Sequence, residues 1–353
     1  MSEEVWSAAD TTPSAIEEAL RALLARRHAE EEAFVPARVL NLVVIVDDEY
    51  RGEIENRLER ISQFHPSRTI FCAVTPGRTT LDAWASMAAQ DAVAKPGHLS
   101  VARERVEVEL GEKHLRGLDT IVGPLLVSDL ATLVWAPHGH IDAVHGLRRL
   151  AQIVLVDSLD EPDLESALER AAGLADGLYV VDLSWLRSTP WRERIAAAFD
   201  PPDTRASLDS IASVTVRHRQ DSAASAALFC GWLASRLGWR PERLVRDGED
   251  LAGRARARRG EVMIRLTPAL PLGSPGLSGV TVETAAGDSM SLERSSGGLR
   301  AGRRGRDGLE RAWTVLGASR GESGILGEGV RQALLRDPTY KPALECARAM
   351  VAR

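Results

Sequence analysis

The stretch that decides the fold is Val39-Leu-Asn-Leu-Val-Val-Ile-Val46. Its apolar residues form a continuous run and do not alternate with polar ones, which is typical of a strand buried on both faces. Strands of this kind belong to parallel sheets that helices cover on each side. The stretch therefore predicts one strand of a parallel sheet packed between helices.

The segments around this strand alternate between strand and helix patterns. Further strands are predicted at 69–74, 106–110, 133–136 and 153–156. Helical patterns lie at 49–63, 114–121, 141–150 and 163–174, and Thr12-Pro13 opens an earlier helix with the cap and first-turn residues that helices prefer. This alternation predicts an α/β fold with a largely parallel sheet and flanking helices in the N-terminal half.

The second half of the chain has a different pattern. Strands are predicted at 214–217, 262–266, 279–283 and 290–294, and the last two form a hairpin around Ala286-Gly-Asp288. Helices open at Thr189-Pro190, Asp221-Ser222 and Asp337-Pro338. We therefore expect a smaller α+β C-terminal domain. The length of 353 residues fits two domains, placed at 1–175 and 176–353 with a boundary between 160 and 205.

Composition narrows the classes of function. The net charge of −6 gives no overall attraction to nucleic acid or to an anionic membrane. The amino terminus has no signal-peptide pattern and the apolar runs are too short to span a bilayer, so a cytoplasmic protein without membrane or nucleic-acid partners is expected. Cys72, Cys230 and Cys346 are widely spaced and fit no zinc pattern, which predicts buried thiols.

Polar residues follow two of the predicted strands at the edge where α/β sheets bind ligands. Asp47 and Asp48 end the first strand and are interpreted as caps of the next helix. His138 and His140 follow a later strand in a His-Gly-His pattern, interpreted as a polar loop that leads into the helix at Ile141. An alternative interpretation makes these two acids and two histidines metal ligands, although metal sites need three or four ligands together.

Two arginine-rich stretches carry no recognisable chemistry. The run Asp247–Gly260 is typical of a solvated face or linker. The glycine-rich stretch Gly302–Gly308 has the wrong spacing for a phosphate-binding loop and predicts a flexible solvated loop or a contact with an acidic partner.

The stretch Asp182–Asp200 combines tryptophan and arginine, the residue types enriched at binding hot spots. Trp185 and Arg187 are candidates for partner contacts, as are Trp191 and Arg192, while Trp191 also fits the core stripe of a helix. His65 and Arg68 allow two interpretations as well. They are partner contacts, or they stop a helix while Arg68 binds a backbone carbonyl.

Several motifs taken in order carry a family resemblance. They are Arg38-Val-Leu-Asn-Leu-Val-Val, His65-Pro-Ser-Arg68, Gly123-Pro-Leu-Leu126 with Asp129 and Trp135, Val156-Asp-Ser158, Asp182-Leu-Ser-Trp-Leu-Arg-Ser-Thr-Pro-Trp-Arg192, and Gly231-Trp-Leu-Ala-Ser-Arg-Leu-Gly-Trp239. Their order and spacing resemble the OpcA family, the glucose-6-phosphate dehydrogenase assembly proteins of cyanobacteria and actinobacteria.

The resemblance implies a non-catalytic partner, without a cofactor, that promotes the active oligomer of glucose-6-phosphate dehydrogenase at the entry to the oxidative pentose phosphate pathway. It supplies no catalytic residues. The alternative from the residues alone is an α/β enzyme that handles a metal or a sugar phosphate with Asp47, Asp48, His138 and His140. A third hypothesis is a sensor that binds a sugar phosphate and reports it to the enzyme.

Overall fold

The computed structural model describes residues 4–30, 34–35, 38–62, 66–89, 100–269, 273–316 and 321–352. The chain divides into two compact units. Unit 1 comprises Met1–Val156, Gly177–Val181 and Leu326–Leu334, and unit 2 comprises Asp157–Asp176, Asp182–Ile325 and Leu335–Arg353. The chain passes between the units more than once, so neither unit is a single continuous segment. The boundary proposed from sequence stays a prediction.

Unit 1 is built around a mixed sheet. Its strands are β1 (Glu4–Ala8), β2 (Phe34–Val35), β3 (Leu40–Asp47), β4 (Ser67–Val74), β5 (Asp82–Ala89), β6 (Ser100–Leu110), β7 (Thr132–Trp135), β8 (Ile153–Val156) and β9 (Tyr179–Asp182). Its helices are α1 (Pro13–Glu30), α2 (Arg51–Ser62), α3 (Leu118–Val122) and α4 (Ile141–Gly146).

The strand order of this sheet is β1-β5-β6-β4-β3-β7-β8-β9, with β2 beside β6. β3 pairs in parallel with β4 on one side and with β7 on the other. After β3, the chain first adds strands on the β4 side of the sheet and later adds β7, β8 and β9 on the other side, which is the doubly wound arrangement. At one end of the sheet, β1 pairs antiparallel with β5, and β5 pairs antiparallel with β6. The α/β fold with a largely parallel sheet is confirmed.

β3 is the strand predicted from the opening stretch, and all but its last residue are buried. Its one polar residue before the end, Asn41, is fully buried and donates to the carbonyls of Val127 and Leu130 at 3.0 and 3.3 Å. The Asn41 side-chain oxygen accepts from the Val127 amide at 3.0 Å. A buried amide is tolerated when its groups are bonded, so Asn41 fixes the loop that precedes β7.

Unit 2 contains the second sheet. Its strands are β10 (Ile211–Arg219), β11 (Arg240–Pro241), β12 (Val245–Asp247), β13 (Asp250–Ala257), β14 (Gly260–Ala269), β15 (Leu277–Thr284), β16 (Ser289–Ser295), β17 (Gly298–Arg304) and β18 (Glu310–Leu316). The remaining helices are α5 (Leu164–Ala175), α6 (Leu183–Arg187), α7 (Thr189–Phe199), α8 (Pro202–Arg205), α9 (Ala223–Leu237), α10 (Gly321–Leu335) and α11 (Tyr340–Val351). Part of α10 belongs to unit 1.

The second sheet has the order β11-β13-β14-β10-β15-β16-β17-β18, with β12 beside β13. Its ladders are antiparallel except for the parallel pair β10 and β14. Alternate residues such as Val214 and Val216 are buried, and α9 packs against β10 and β14. The predicted hairpin is present as β15 and β16, with Gly287 in the left-handed region that its turn requires.

Four local predictions need correction. The Asp247–Gly260 run is not a linker, because its residues from Asp250 to Ala257 form β13. The Gly302–Gly308 stretch is not all loop, because its first three residues end β17 and only the remainder forms the turn before β18. The helix at Thr189-Pro190 takes Ser188 as its cap residue. Asp47 makes no cap bond to the turn after β3, because its carboxylate binds His140 instead.

The cysteines follow the sequence-based expectation in part. Cys72 and Cys230 are buried free thiols, and burial raises the pKa of each to about 12. Cys346 is only half-buried. Within the described ranges, no helix combines the length and the apolar composition needed to cross a membrane.

Helices α9 and α11 approach closely at Gly231. A side-chain carbon placed on Gly231 would lie 2.2 Å from the carbonyl oxygen of Ala343 and 2.9 Å from the amide nitrogen of Ala347. Both are backbone atoms, which cannot move aside as a flexible side chain can. The contact between the two helices therefore requires glycine at this position.

Gly231→Ala is expected to lower the free energy of unfolding by about 1–3 kcal/mol, because the added methyl forces the helices apart. The measurement is urea denaturation followed by circular dichroism. Gly173→Ala in α5 is the control, since no atom lies within 4 Å of the new methyl. It should be neutral or stabilising by up to about 1 kcal/mol. Equal effects of the two substitutions would contradict the close packing at Gly231.

Candidate functional site

A buried polar cluster lies in unit 2 and includes the stretch predicted as a binding hot spot. We call it the Asp182 cluster. It consists of Asp157, Ser158, Asp182, Ser184, Trp185, Arg187, Arg192, Asp337 and Tyr340. Three separate stretches of the chain supply these residues: the residues after β8, the stretch from the end of β9 into α7, and the residues that lead into α11.

The Asp182 carboxylate is at the centre of the cluster and is fully buried. One oxygen accepts from the amides of Ser158 and Ser184, at 3.1 and 2.9 Å. The other accepts from the Ser158 hydroxyl at 2.6 Å and the Tyr340 hydroxyl at 3.1 Å. Since Asp182 is also the cap residue of α6, one carboxylate begins a helix and joins three stretches of the chain.

Asp157 holds Arg187 in a bidentate ion pair. The two guanidinium nitrogens donate to the two carboxylate oxygens at 2.8 and 2.7 Å, and the Ser184 hydroxyl adds a bond of 2.8 Å. The Arg187 side chain is only 7% exposed and that of Asp157 only 10%. A pair of this geometry offsets the cost of burying both charges, whereas either charge alone would remain uncompensated.

Trp185 is held by three neighbouring side chains. Its ring nitrogen donates to Asp337 at 2.9 Å, and the Arg192 guanidinium lies 3.3 Å from the ring centroid. Tyr340 meets the ring edge-on, with 5.5 Å between centroids. Arg192 also donates to the Thr189 hydroxyl at 2.8 Å. The tryptophan and arginine that suggested a hot spot are therefore in contact with each other inside the unit.

The environment shifts the pKa of several groups in the cluster. Burial raises the pKa of Asp182, and the nearby Asp157 charge adds to the effect against the hydrogen bonds from Ser158 and Ser184. Burial lowers the pKa of Arg192 to about 10. Burial would raise the pKa of Asp337, but hydrogen bonds from Thr339 and Trp185 and the Arg192 charge outweigh it, so that pKa is lowered.

The structure gives the partner-contact candidates internal roles. Trp185 and Trp191 are each 2% exposed and Arg192 is 8% exposed. Trp191 is a core residue of α7, as its helical spacing predicted. The four candidates from Trp185 to Arg192 therefore have almost no exposed side-chain surface in this fold. A direct partner contact through any of them stays a prediction.

Arg68 takes the internal role that the sequence allowed. It donates to the Leu125 carbonyl at 3.0 Å and to Glu104 at 2.8 Å. Glu104 is fully buried and also pairs with Arg38. The other candidate of this motif, His65, lies outside the described residues.

Sequence reasoning found the stretch that begins at Asp182 but missed the residues of the other two stretches that meet it. Asp157 and Ser158 enter the sequence analysis only within the motif Val156-Asp-Ser158, and no pattern there marks Tyr340 as a site residue. One usable signal was present: an Asp-Ser pair directly follows β8, where strand ends in α/β folds carry functional polar groups. The Ser158 and Ser184 hydroxyls are buried and donate to carboxylates, so the cluster's chemistry is that of holding chain segments together.

The residues of the alternative metal interpretation lie at the carboxyl ends of β3 and β7. His140 Nε2 lies 3.0 Å from the Asp47 carboxylate, and the His138 ring stacks on Tyr50 with 4.1 Å between centroids. Asp48 pairs with Arg51 at 2.8 Å. Across the described part of the chain, no group of three or more histidine, cysteine, aspartate or glutamate side chains could hold a metal ion.

Arg187→Met is expected to lower the free energy of unfolding by about 3–5 kcal/mol, because it leaves the buried Asp157 charge uncompensated. Arg187→Lys keeps the charge and loses the bidentate geometry, so its loss should be smaller. Chemical denaturation of both variants is the measurement. If the methionine variant were as stable as the lysine variant, the ion pair would not be what stabilises this stretch.

Asp337→Asn tests the pH dependence of the cluster. A carboxylate whose pKa is lowered by folding stabilises the native state above its ordinary pKa of 3.8, and that contribution is lost as the pH falls through the lowered value. The variant should therefore be less stable than the parent by about 1–2 kcal/mol at pH 7. The difference should shrink in denaturation at pH 3. A difference that is equal at both pH values would argue against a charged Asp337.

The solved structures that match the chain include two oxidoreductases. One is an oxidoreductase domain protein from Kribbella flavida, with 14% identity and a TM-score of 0.46 over 88% of this chain and 95% of that one. Another is the dehydrogenase MviM from Clostridium difficile, with 8% identity and a TM-score of 0.45 over 87% and 96%. Similarity at this level does not support a statement about activity.

Sequence relatives are more informative. An OxPP cycle protein OpcA from Synechococcus elongatus is 28% identical over 71% of this chain and 56% of its own length. A protein of the same name from Nostoc punctiforme is 37% identical over 38% of this chain and 30% of its own length. The chain thus spans about half the length of the first of these relatives, and less of the second.

Two family models match consecutive stretches of the chain. Both describe domains of a glucose-6-phosphate dehydrogenase subunit: its N-terminal domain matches residues 58–173, and its C-terminal domain matches residues 178–344. Both models carry the OpcA name, and together they cover well over half of the 353 residues. The chain therefore belongs to the OpcA family of glucose-6-phosphate dehydrogenase assembly proteins.

Proposed function

We propose that this chain is a non-catalytic partner of glucose-6-phosphate dehydrogenase that promotes the enzyme's active oligomer. The observation that carries the proposal is the match of both halves of the chain, in order, to the two domains of the OpcA family. The name of the cyanobacterial relatives, OxPP cycle protein, points to the same pathway.

A partner of this kind needs no chemistry of its own. If it binds the active oligomer more tightly than the inactive form, it shifts the equilibrium toward the active form by that difference in binding free energy. A preference of about 3 kcal/mol changes the ratio more than a hundredfold. Activation then depends on a stable binding surface and a rigid scaffold that presents it.

The Asp182 cluster supports the proposal that the chain acts as a rigid scaffold. Its carboxylates are bonded to arginine, serine and tyrosine side chains of the same unit. Such a network fixes the relative positions of the segments that enter it, and it leaves the Asp157 and Asp182 carboxylates engaged. In this proposal Trp185 and Arg187 contribute by holding the shape of the stretch, whether or not a partner touches them.

The test is the activity of glucose-6-phosphate dehydrogenase from the same source against glucose 6-phosphate concentration, with and without an equimolar amount of the chain. We expect a lower half-saturation concentration or a higher maximal rate, and co-elution of the two proteins on a sizing column. Unchanged kinetics together with separate elution would rule out the proposal.

Metal analysis separates this proposal from the α/β enzyme alternative. A metal enzyme should carry stoichiometric zinc or manganese after purification without chelator, and His138→Ala should remove it. For a non-catalytic partner, we expect the His138→Ala variant to activate the dehydrogenase as well as the parent does.

Calorimetry with glucose 6-phosphate and the chain alone tests the sensor hypothesis, which requires heat of binding.

A further inference from the structure

The outermost strand of the second sheet, β18, is an exposed edge. It pairs with β17 along its whole length, and no other strand of the described residues pairs with it. Every residue from Glu310 to Thr314 is exposed, Trp313 is 44% exposed and Leu316 is 76% exposed. An edge of this kind presents a row of backbone donors and acceptors to the surroundings.

Natural sheets usually block such an edge with a bulge, a proline or charged side chains, and β18 has few of these features. Its register with β17 is continuous from Gly298 and Leu316 to Arg304 and Glu310, so no bulge interrupts it. The strand contains no proline, and its last five residues, Ala312–Leu316, carry no charge. An edge that is regular, and that is uncharged and partly apolar over its last five residues, is a template for another strand.

The hydrogen bonding of the β17–β18 turn shows which amides face outward. The Gly305 amide donates to the Leu309 carbonyl at 3.0 Å, in the same register as the ladder. Bonded and non-bonded pairs alternate in an antiparallel ladder, so the pair Arg300 and Thr314 is a non-bonded one. The Thr314 amide therefore points away from β17, toward an added strand.

The hairpin formed by β17 and β18 is basic, although the whole chain carries a net charge of −6. Its exposed arginines are Arg300, Arg303, Arg304, Arg306 and Arg311. The same stretch has two acidic residues, Asp307 and Glu310. Arg303 stands directly opposite Arg311. Like charges in register repel each other unless an acidic group neutralises them.

We propose that β18 is a docking edge for an extended, acidic segment of a partner protein, which adds to the sheet as a further strand. The backbone groups of β18 supply the ladder bonds, Trp313 and Leu316 supply apolar contact, and the hairpin arginines select for acidic side chains. A second copy of this chain is the poorer occupant, because it would bring the same basic hairpin to the edge.

This inference rests on the proposed function, in which the partner is the dehydrogenase, and one binding experiment tests both. Thr314→Pro removes the outward amide and leaves the β17 ladder bonds in place. It should weaken binding of the dehydrogenase by at least about tenfold. Thr314→Val is the matched control, since it changes the same side chain and keeps the amide. Its affinity should stay within about twofold of the parent.

A charge experiment uses a different property of the same edge. Arg303→Gln combined with Arg311→Gln should weaken binding and reduce its dependence on salt, because two charges facing an acidic segment are lost. Arg254→Gln combined with Arg256→Gln is the control. It removes the same number of exposed charges from β13, which lies near the opposite edge of the sheet. This control should bind as the parent does.

The outcomes separate the two proposals. If the parent chain does not bind the dehydrogenase at all, the proposed function fails and the docking edge fails with it. If the parent binds and both the Thr314→Pro and the Arg303/Arg311 variants bind equally well, only the docking edge is overturned. Circular dichroism shows whether each variant is folded. If the Thr314→Pro variant is unfolded, the binding of the Arg303/Arg311 variant alone decides the test. The docking edge would also be overturned if the parent chain formed a dimer that Thr314→Pro dissociates while binding of the dehydrogenase stays unchanged.

Discussion

The structure of unit 2 depends on the satisfaction of one buried carboxylate. Asp182 is fully buried, and an ionised carboxylate without partners is among the most costly groups to place in a protein interior. Its partners are Ser158, Ser184 and Tyr340, which lie in three separate stretches. The requirement to bond this one carboxyl group therefore fixes where these stretches meet, and the Arg187 and Trp185 contacts are built around that meeting point.

The parallel sheet could be predicted because its signal is strong. A continuous apolar run such as β3 fits a strand covered on both faces, and little else of that length does. β13 shows why other strands were missed. Its buried residue Ala255 is only weakly hydrophobic, and it alternates with exposed Arg254 and Arg256. The alternation of a strand is present there, but in the sequence it looks like a charged segment.

The candidate site could be predicted only as a list of residue types. Tryptophan and arginine are enriched at interfaces, yet the same side chains bind well to each other, as Arg192 does over the Trp185 ring. The sequence does not distinguish these cases, because the outcome depends on residues far along the chain. Asp337 and Tyr340 complete the cluster, and no local pattern around Trp185 indicates them.

The long separation between Asp182 and Tyr340 has a consequence for how the chain is made. The two residues are 158 positions apart, so the ribosome completes the first long before the second emerges. At about 5–20 residues per second, the interval is roughly 10–30 s. Throughout that time the carboxylate lacks one of its donors, and once α9 has been made, its surface stays open until α11 can pack on it. Nascent chains of this protein thus pass through a stage at which chaperones can recognise them.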